Sequence, residues 1–233
     1  MSRLVFGLSI VGAAIAACLA VPAQAQVTYA TDGTTAIIPG LTGFATTGAD
    51  MTGLNVTATF SNGFSQSLAW GTTGVGAGGV FGTGWSLTLS GDSFAGNWLF
   101  DFTTLEAQLT RLVLDGSTGL TVLDRTLPSP GTDGSANGTD FSFAGGTCGS
   151  CVATATYGGL TSIGLAAAVG DLFQKVTVDF TGGTGPRTDW SFVQDTDNDS
   201  RFVPGIPEPE TYALLLGGLG LVSWVAKRRP RVA

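Results

Sequence analysis

The strongest constraint on this chain is a two-residue period. From Gly53 to Phe60, Leu54, Val56, Ala58 and Phe60 fall on one side, and Thr57 and Thr59 on the other. The period returns at Trp85, Leu87 and Leu89, and at Trp98, Phe100 and Phe102. It returns again at Phe141 and Phe143, at Val176, Val178 and Phe180, and at Trp190 and Phe192. Successive side chains on a strand point to opposite faces, so this pattern marks strands with one buried face. Turn formers separate the runs: Ser61-Asn62-Gly63, Gly71 to Gly84, Ser90-Gly91-Asp92, Asp115-Gly116, Pro128 to Gly138 and Gly182 to Gly185. Strands at roughly 10–15-residue spacing with Gly-rich turns predict an all-β fold, an antiparallel, jelly-roll-like β-sandwich. Two runs are ambiguous. Leu105 to Leu114 fits a helix or a strand, and Thr161 to Leu172 holds Ala166-Ala167-Ala168 between glycines.

Composition agrees. Gly is 36 of 233 residues and only 12 % are charged, while 43 % are hydrophobic. A disordered chain would be charged and poor in apolar residues. The length suits one domain with targeting segments at its ends.

Those ends are distinctive. Residues 1–25 read as a signal peptide: Arg3, an apolar core from Leu4 to Ala17, and Ala23-Gln24-Ala25 as a site for signal peptidase. The mature chain then begins at Gln26. Ile15-Ala16-Ala17-Cys18 offers a rival reading, a lipobox with Cys18 lipidated. At the other end, residues 206–233 have three parts. Pro207-Glu208-Pro209 comes first, then an apolar segment at 211–226, then Lys227, Arg228, Arg229 and Arg231. Proline cannot continue a helix, so a helix must start after Pro209. Glu208 and Glu210 then sit at its N-terminal end, where negative charge is favoured. The apolar run gives a single transmembrane helix of about 24 Å, just short of a typical span. The basic end stays in the cytoplasm, so residues 26–205 form an ectodomain beyond the inner membrane.

This tail resembles the PEP-CTERM sorting signal, through Pro207, Glu208 and Pro209, the segment from Thr211 to Ala226, and the terminal arginines. The resemblance implies recognition by exosortase, a membrane-embedded cysteine-peptidase-like enzyme, and then release or attachment at the cell surface. A plain C-terminal membrane anchor is the alternative. The stretch from Ser61 to Phe94, and the run Trp190-Ser-Phe-Val-Gln-Asp-Thr-Asp-Asn, are similar to other PEP-CTERM ectodomains. That similarity bears on architecture and placement and implies no activity.

The chemistry begins with an absence. The chain has no histidine, which excludes a Ser-His-Asp triad and a Cys-His protease and removes the commonest zinc ligand. Between Val27 and Gly205 stand fifteen acidic and five basic residues, a net of −10, which gives no electrostatic reason to bind nucleic acid. Catalysis by paired Asp carboxylates survives as a possibility for a carbohydrate-active enzyme. Turn chemistry is the plainer use of those Asp residues. Cys148 and Cys151 are expected to form a local disulfide after export, with a redox pair and a zinc half-site as alternatives. Asp195, Asp197 and Asp199 carry oxygen ligands at alternate positions, like half a calcium loop. Ser200 and Ile206 then break that pattern, and a solvated acidic linker is the alternative. Asn55, Asn137 and Asn198 open glycosylation sequons at near-chance frequency. Trp70, Trp85, Trp98 and Trp190 could stack on sugars, but their alternation with polar residues makes core packing the default. No cofactor is implied. The reading is an exported, non-enzymatic surface or matrix protein associated with extracellular polysaccharide; the alternative is a secreted enzyme.

Overall fold

In the computed structural model, the described residues are 25–36, 45–103, 107–126, 138–146, 151–162, 167–181, 186 and 188–198. Each alternating run becomes a strand with its apolar side inward. The first six strands are β1 (Gln26–Thr31), β2 (Asn55–Phe60), β3 (Ser65–Ala69), β4 (Gly71–Gly74), β5 (Ala77–Phe81) and β6 (Trp85–Ser90). Then come β7 (Trp98–Phe102), β8 (Leu109–Asp115), a 3-10 turn (Gly116–Thr118) and β9 (Thr121–Asp124). Last are β10 (Ser142–Gly145), β11 (Val152–Leu160), β12 (Leu172–Thr181), β13 (Trp190–Val193) and β14 (Asp195–Asn198). β1 starts at Gln26, the first residue of the expected mature chain.

The strands form two sheets. One runs β1-β11-β12-β8-β2-β3, with β9 pairing both β12 and β14; the other runs β10-β13-β7-β6-β5-β4. Both contribute to the main core, and Val122 and Leu172 form a small separate cluster. The first sheet supplies mainly Val, Leu and Ala, such as Val56, Leu112, Ala155 and Val178. The second supplies Trp85, Trp98, Phe100, Trp190 and Phe192. Large rings thus pack against small and branched side chains between the sheets. The rings also stack along their own sheet. Trp85 lies 5.5 Å from Phe100 at 8°, Phe100 5.7 Å from Trp190 at 25°, and Trp98 5.5 Å from Phe192 at 16°.

Several expectations need correction. The sandwich is not wholly antiparallel, because β1 runs parallel to β11, from Gln26 opposite Val152 to Thr31 opposite Tyr157. Alternation reveals which face is buried but not strand direction. The connectivity is not a jelly roll either. Strands β4 to β7 follow one another within one sheet as a meander, whereas successive jelly-roll strands mostly cross between the two sheets. The ambiguous run at Leu105–Leu114 resolves as β8 over its described part. A register shift between Thr59 and Phe60 places Leu109, Leu112 and Leu114 inward, which mimics a helical spacing. The described part of Thr161–Leu172 contains no helix.

The Gly71–Gly84 segment, expected as turn, contains β4 and β5. Glycine works there as clearance. A Cβ on Gly78 would lie 2.2 Å from Trp70 Nε1 and 2.1 Å from the Gly48 carbonyl oxygen. That bare position lets the Trp70 indole donate to Gly48 O at 2.7 Å. The Ser61-Asn62-Gly63 turn forms as expected, with Gly63 at φ 83°.

Candidate functional site

Strand β13 belongs to the aromatic sheet and β14 to the aliphatic one, so the chain changes sheets at Gln194. Backbone polar groups that pass through a core each need a partner. Gln194 is fully buried and helps to provide them. Its Oε1 accepts from the Tyr157 hydroxyl at 2.6 Å. Its Nε2 donates toward the carbonyls of Asp195, Asp124 and Thr139 at 2.9, 3.2 and 3.2 Å. Its own carbonyl accepts from Trp98 Nε1 at 2.9 Å. The Tyr157 oxygen also accepts from the Phe141 N–H at 3.0 Å.

Directly after this crossing lie the acidic candidates. A solvated linker is ruled out for residues 195–198, because Asp195, Thr196, Asp197 and Asn198 are all buried. They form β14, antiparallel to β9, with Asp195 opposite Asp124 and Asn198 opposite Thr121. Ser93 donates its hydroxyl to Asp195 Oδ1 at 2.7 Å, and the Thr196 N–H donates to the same oxygen at 2.8 Å. Thr196 Oγ1 donates to Ser93 Oγ at 3.0 Å. The Asn198 amide donates to Thr121 Oγ1 at 3.1 Å and to the Asp50 carbonyl. Burial pushes the Asp195 carboxyl up to about 7. The Ser93 and Thr196 hydrogen bonds oppose that rise, while repulsion from Asp197 and Asp92 adds to it. Among the described residues, no group of three His, Cys, Asp or Glu side chains could hold a metal ion. Asp199, the third calcium candidate, lies outside the described residues.

A second polar cluster adjoins this joint. Arg125 Nε donates to Asp140 Oδ1 at 2.7 Å, and the pair is mostly buried. The guanidinium lies 4.4 Å from the Tyr157 ring centroid and 5.2 Å from that of Tyr29. Tyr29 donates its hydroxyl to the Phe141 carbonyl at 3.0 Å. Burial and the nearby Asp140 charge raise the Tyr29 phenol pKa, against the effect of Arg125. Nothing local in the sequence marks these residues, because they meet only through strand pairing. This arrangement locks β1, β9, β11 and the start of β10 together.

The remaining candidates separate cleanly. Trp70, Trp85, Trp98 and Trp190 are at most 3 % exposed, so none presents a ring to a sugar. Among the described residues, the exposed rings are Tyr29, Phe81 and Phe94. Trp70, Trp85 and Trp98 donate their indole N–H groups to Gly48 O, Gln66 Oε1 and Gln194 O. Trp190 Nε1 has no partner among the described residues. Cys151 is buried and disulfide-bonded. Cys148 lies outside the described residues. So do Cys18, Pro207, Glu208, Pro209, Lys227, Arg228, Arg229 and Arg231. No described helix is long and apolar enough to cross a membrane, and the tail helix expected at 211–226 falls outside the described set.

A family model of the PEP-CTERM protein-sorting motif matches residues 205–229. The chain carries a PEP-CTERM sorting motif at its C-terminal end. The motif supports export and sorting by an exosortase-type system. No curated protein and no solved structure matches the chain.

Proposed function

We propose that this protein is a non-enzymatic component of the cell surface or extracellular matrix, associated with exopolysaccharide. Signal peptidase removes residues 1–25, and the tail holds the chain in the inner membrane with its sandwich in the periplasm. An exosortase-type membrane peptidase then processes the tail near Pro207-Glu208-Pro209, and the sandwich reaches the surface or the medium. The observation that carries this reading is the sorting motif at residues 205–229. Its position adds a constraint. Pro207 follows Asn198, the end of buried β14, by nine residues. At about 3.4 Å per residue, the Pro-Glu-Pro site stays within about 30 Å of the folded sandwich. The peptidase therefore works close to a folded domain. Tyr29 and Phe94, both exposed, offer ring faces for sugars.

The test is the intact mass of the protein from cell fractions, wild type beside Glu208→Ala. The expected wild-type product lacks residues 1–25 and the residues beyond about Pro209, while the variant keeps its tail in the inner membrane. A full-length tail in both would reduce the tail to a simple anchor. A secreted carbohydrate-active enzyme using Asp carboxylates is the second reading. Turnover on a polysaccharide panel that vanishes in Asp195→Asn would select it. Retention on polysaccharide without turnover would select the first.

A further inference from the structure

The two lateral sides of the sandwich differ in charge. On one side the sheets end at β1 and β10. Asp32 follows β1 and pairs with Lys175 at 3.8 Å, and the Arg125–Asp140 pair lies just before β10. On the other side the sheets end at β3 and β4. From Met51 to Gly91, a span that includes β2 to β6, there is no charged residue. Yet the stretch from Val27 to Gly205 carries a net of −10.

Edge strands present unpaired N–H and C=O groups, and proteins usually guard them with Lys, Pro or inward charge. β3 and β4 contain none of these. Among the described residues, β3 pairs only with β2 and β4 only with β5. Between the two edges runs a groove of about 270 Å³, lined by Leu68, Ala69, Thr72, Thr73 and Phe81 among others. Beside it Phe81 is 64 % exposed, and Val75 at the β4–β5 turn is fully exposed.

We propose that this side is a self-association edge, on which a second copy of the chain docks strand edge to strand edge. Charge selects that occupant. Two acidic domains repel through most of their surfaces, and only the neutral side lets them approach within a Debye length of about 8–10 Å. The pairing uses the free backbone groups of β3 and β4, and it covers Phe81, Val75 and the groove. A five-residue strand is about 17 Å long, so the contact buries a few hundred Å² per partner, below the roughly 800 Å² of a stable interface. The association is therefore weak alone and gains strength where many copies are held together. The register shift between Thr72 and Gly74 keeps the paired stretch short, which limits runaway growth. The proposal rests on the sandwich alone and stands or falls independently of tail processing.

The test is sedimentation velocity of the full-length chain in detergent from low to high micromolar concentration. The expected result is a monomer–dimer equilibrium. Thr73→Lys should weaken it by about tenfold or more, since like charges then face each other. Ala69→Lys provides an independent second variant. Ala30→Lys, on the opposite edge strand β1, should leave it unchanged. A mixture of Thr73→Lys and Thr73→Glu chains should associate where neither does alone. Near-UV circular dichroism of the buried tryptophans checks that each variant is folded. A wild type that stays monomeric throughout overturns the proposal, as does a folded Thr73→Lys chain that associates like wild type. A monomeric wild type whose retention on neutral polysaccharide depends on Thr73 also overturns it, and assigns the groove to sugar.

Discussion

The interior of this sandwich is filled in two opposite ways. Along β6, β7 and β13, stacked rings of Trp85, Phe100, Trp190, Trp98 and Phe192 exclude water by area alone. At the β13–β14 crossing, an equally buried volume is filled by Gln194, Asp195, Thr196, Asp197 and Asn198, with hydrogen bonds to Ser93, Thr121 and Tyr157. The ring side tolerates adjustment, because dispersion is not directional. The polar side does not, because each buried group that loses its partner bears the full desolvation penalty. The difference suggests distinct tasks. The rings supply stability, and the polar joint fixes where the chain leaves one sheet and ends in the other, just before the sorting tail.

Trp98 belongs to both regions and gives the largest expected effect. Its ring lies 5.1 Å from Trp70 and 5.5 Å from Phe192, and its indole donates to Gln194 O. Trp98→Ala should cost about 4–5 kcal/mol in urea unfolding, a large part of a typical domain's stability. Trp98→Phe keeps a ring and loses the donor, and should cost about 1–2 kcal/mol. Equal losses in the two variants would mean that the hydrogen bond, rather than the ring, dominates at this position.

The same contrast explains what could be read from the residues beforehand. Val56, Leu87, Phe100, Val178 and Phe192 announce their strands through alternation, because an apolar side chain is buried whatever lies opposite. The Ser61-Asn62-Gly63 turn is equally local. Asp195 to Asn198 could not be read this way. Aspartate, threonine and asparagine favour turns, and their burial here depends on Ser93, Thr121 and Asp50, roughly 80 to 150 positions away. Gln194 and Tyr157 are invisible for the same reason. β4 and β5 were hidden by glycines whose role is clearance for Trp70 and Gly48 rather than turning. The parallel pairing of β1 is set by a partner more than 120 residues away. The sorting tail was legible because its signal is linear: a triplet, an apolar run and a basic end.

Gln194→Leu isolates the polar joint. It leaves the Tyr157 hydroxyl without its acceptor, and the carbonyls of Asp124, Thr139 and Asp195 without a shared donor. The expected loss is about 2–4 kcal/mol, although leucine is the more apolar residue. A loss below about 1 kcal/mol would show that the crossing relaxes easily and that the two fillings are not so different.

Asp195→Asn asks whether the joint carries an electrostatic burden, and it should act in the opposite direction. Asp195 titrates at about 7 in the folded chain and near 3.9 when unfolded. Between those values the unfolded state has released a proton that the folded state still holds. Stability from this group is therefore complete below pH 4, falls as pH rises toward 7, and is flat above. Asp32 acts in a separate window. Its hydrogen bonds to Thr34 hold its pKa below the usual carboxylate range, so its contribution is lost only as pH falls below about 4. Asparagine keeps an acceptor for Ser93 and for the Thr196 N–H without a charge to bury. The variant should thus be more stable than wild type at pH 8 by about 1–3 kcal/mol, and its profile between pH 4 and 7 should be flatter. Urea unfolding at a series of pH values reads both quantities. A wild-type stability that climbs through that interval would mean Asp195 is ionised comfortably in the fold, and that the polar joint bears no more strain than the ring stack beside it.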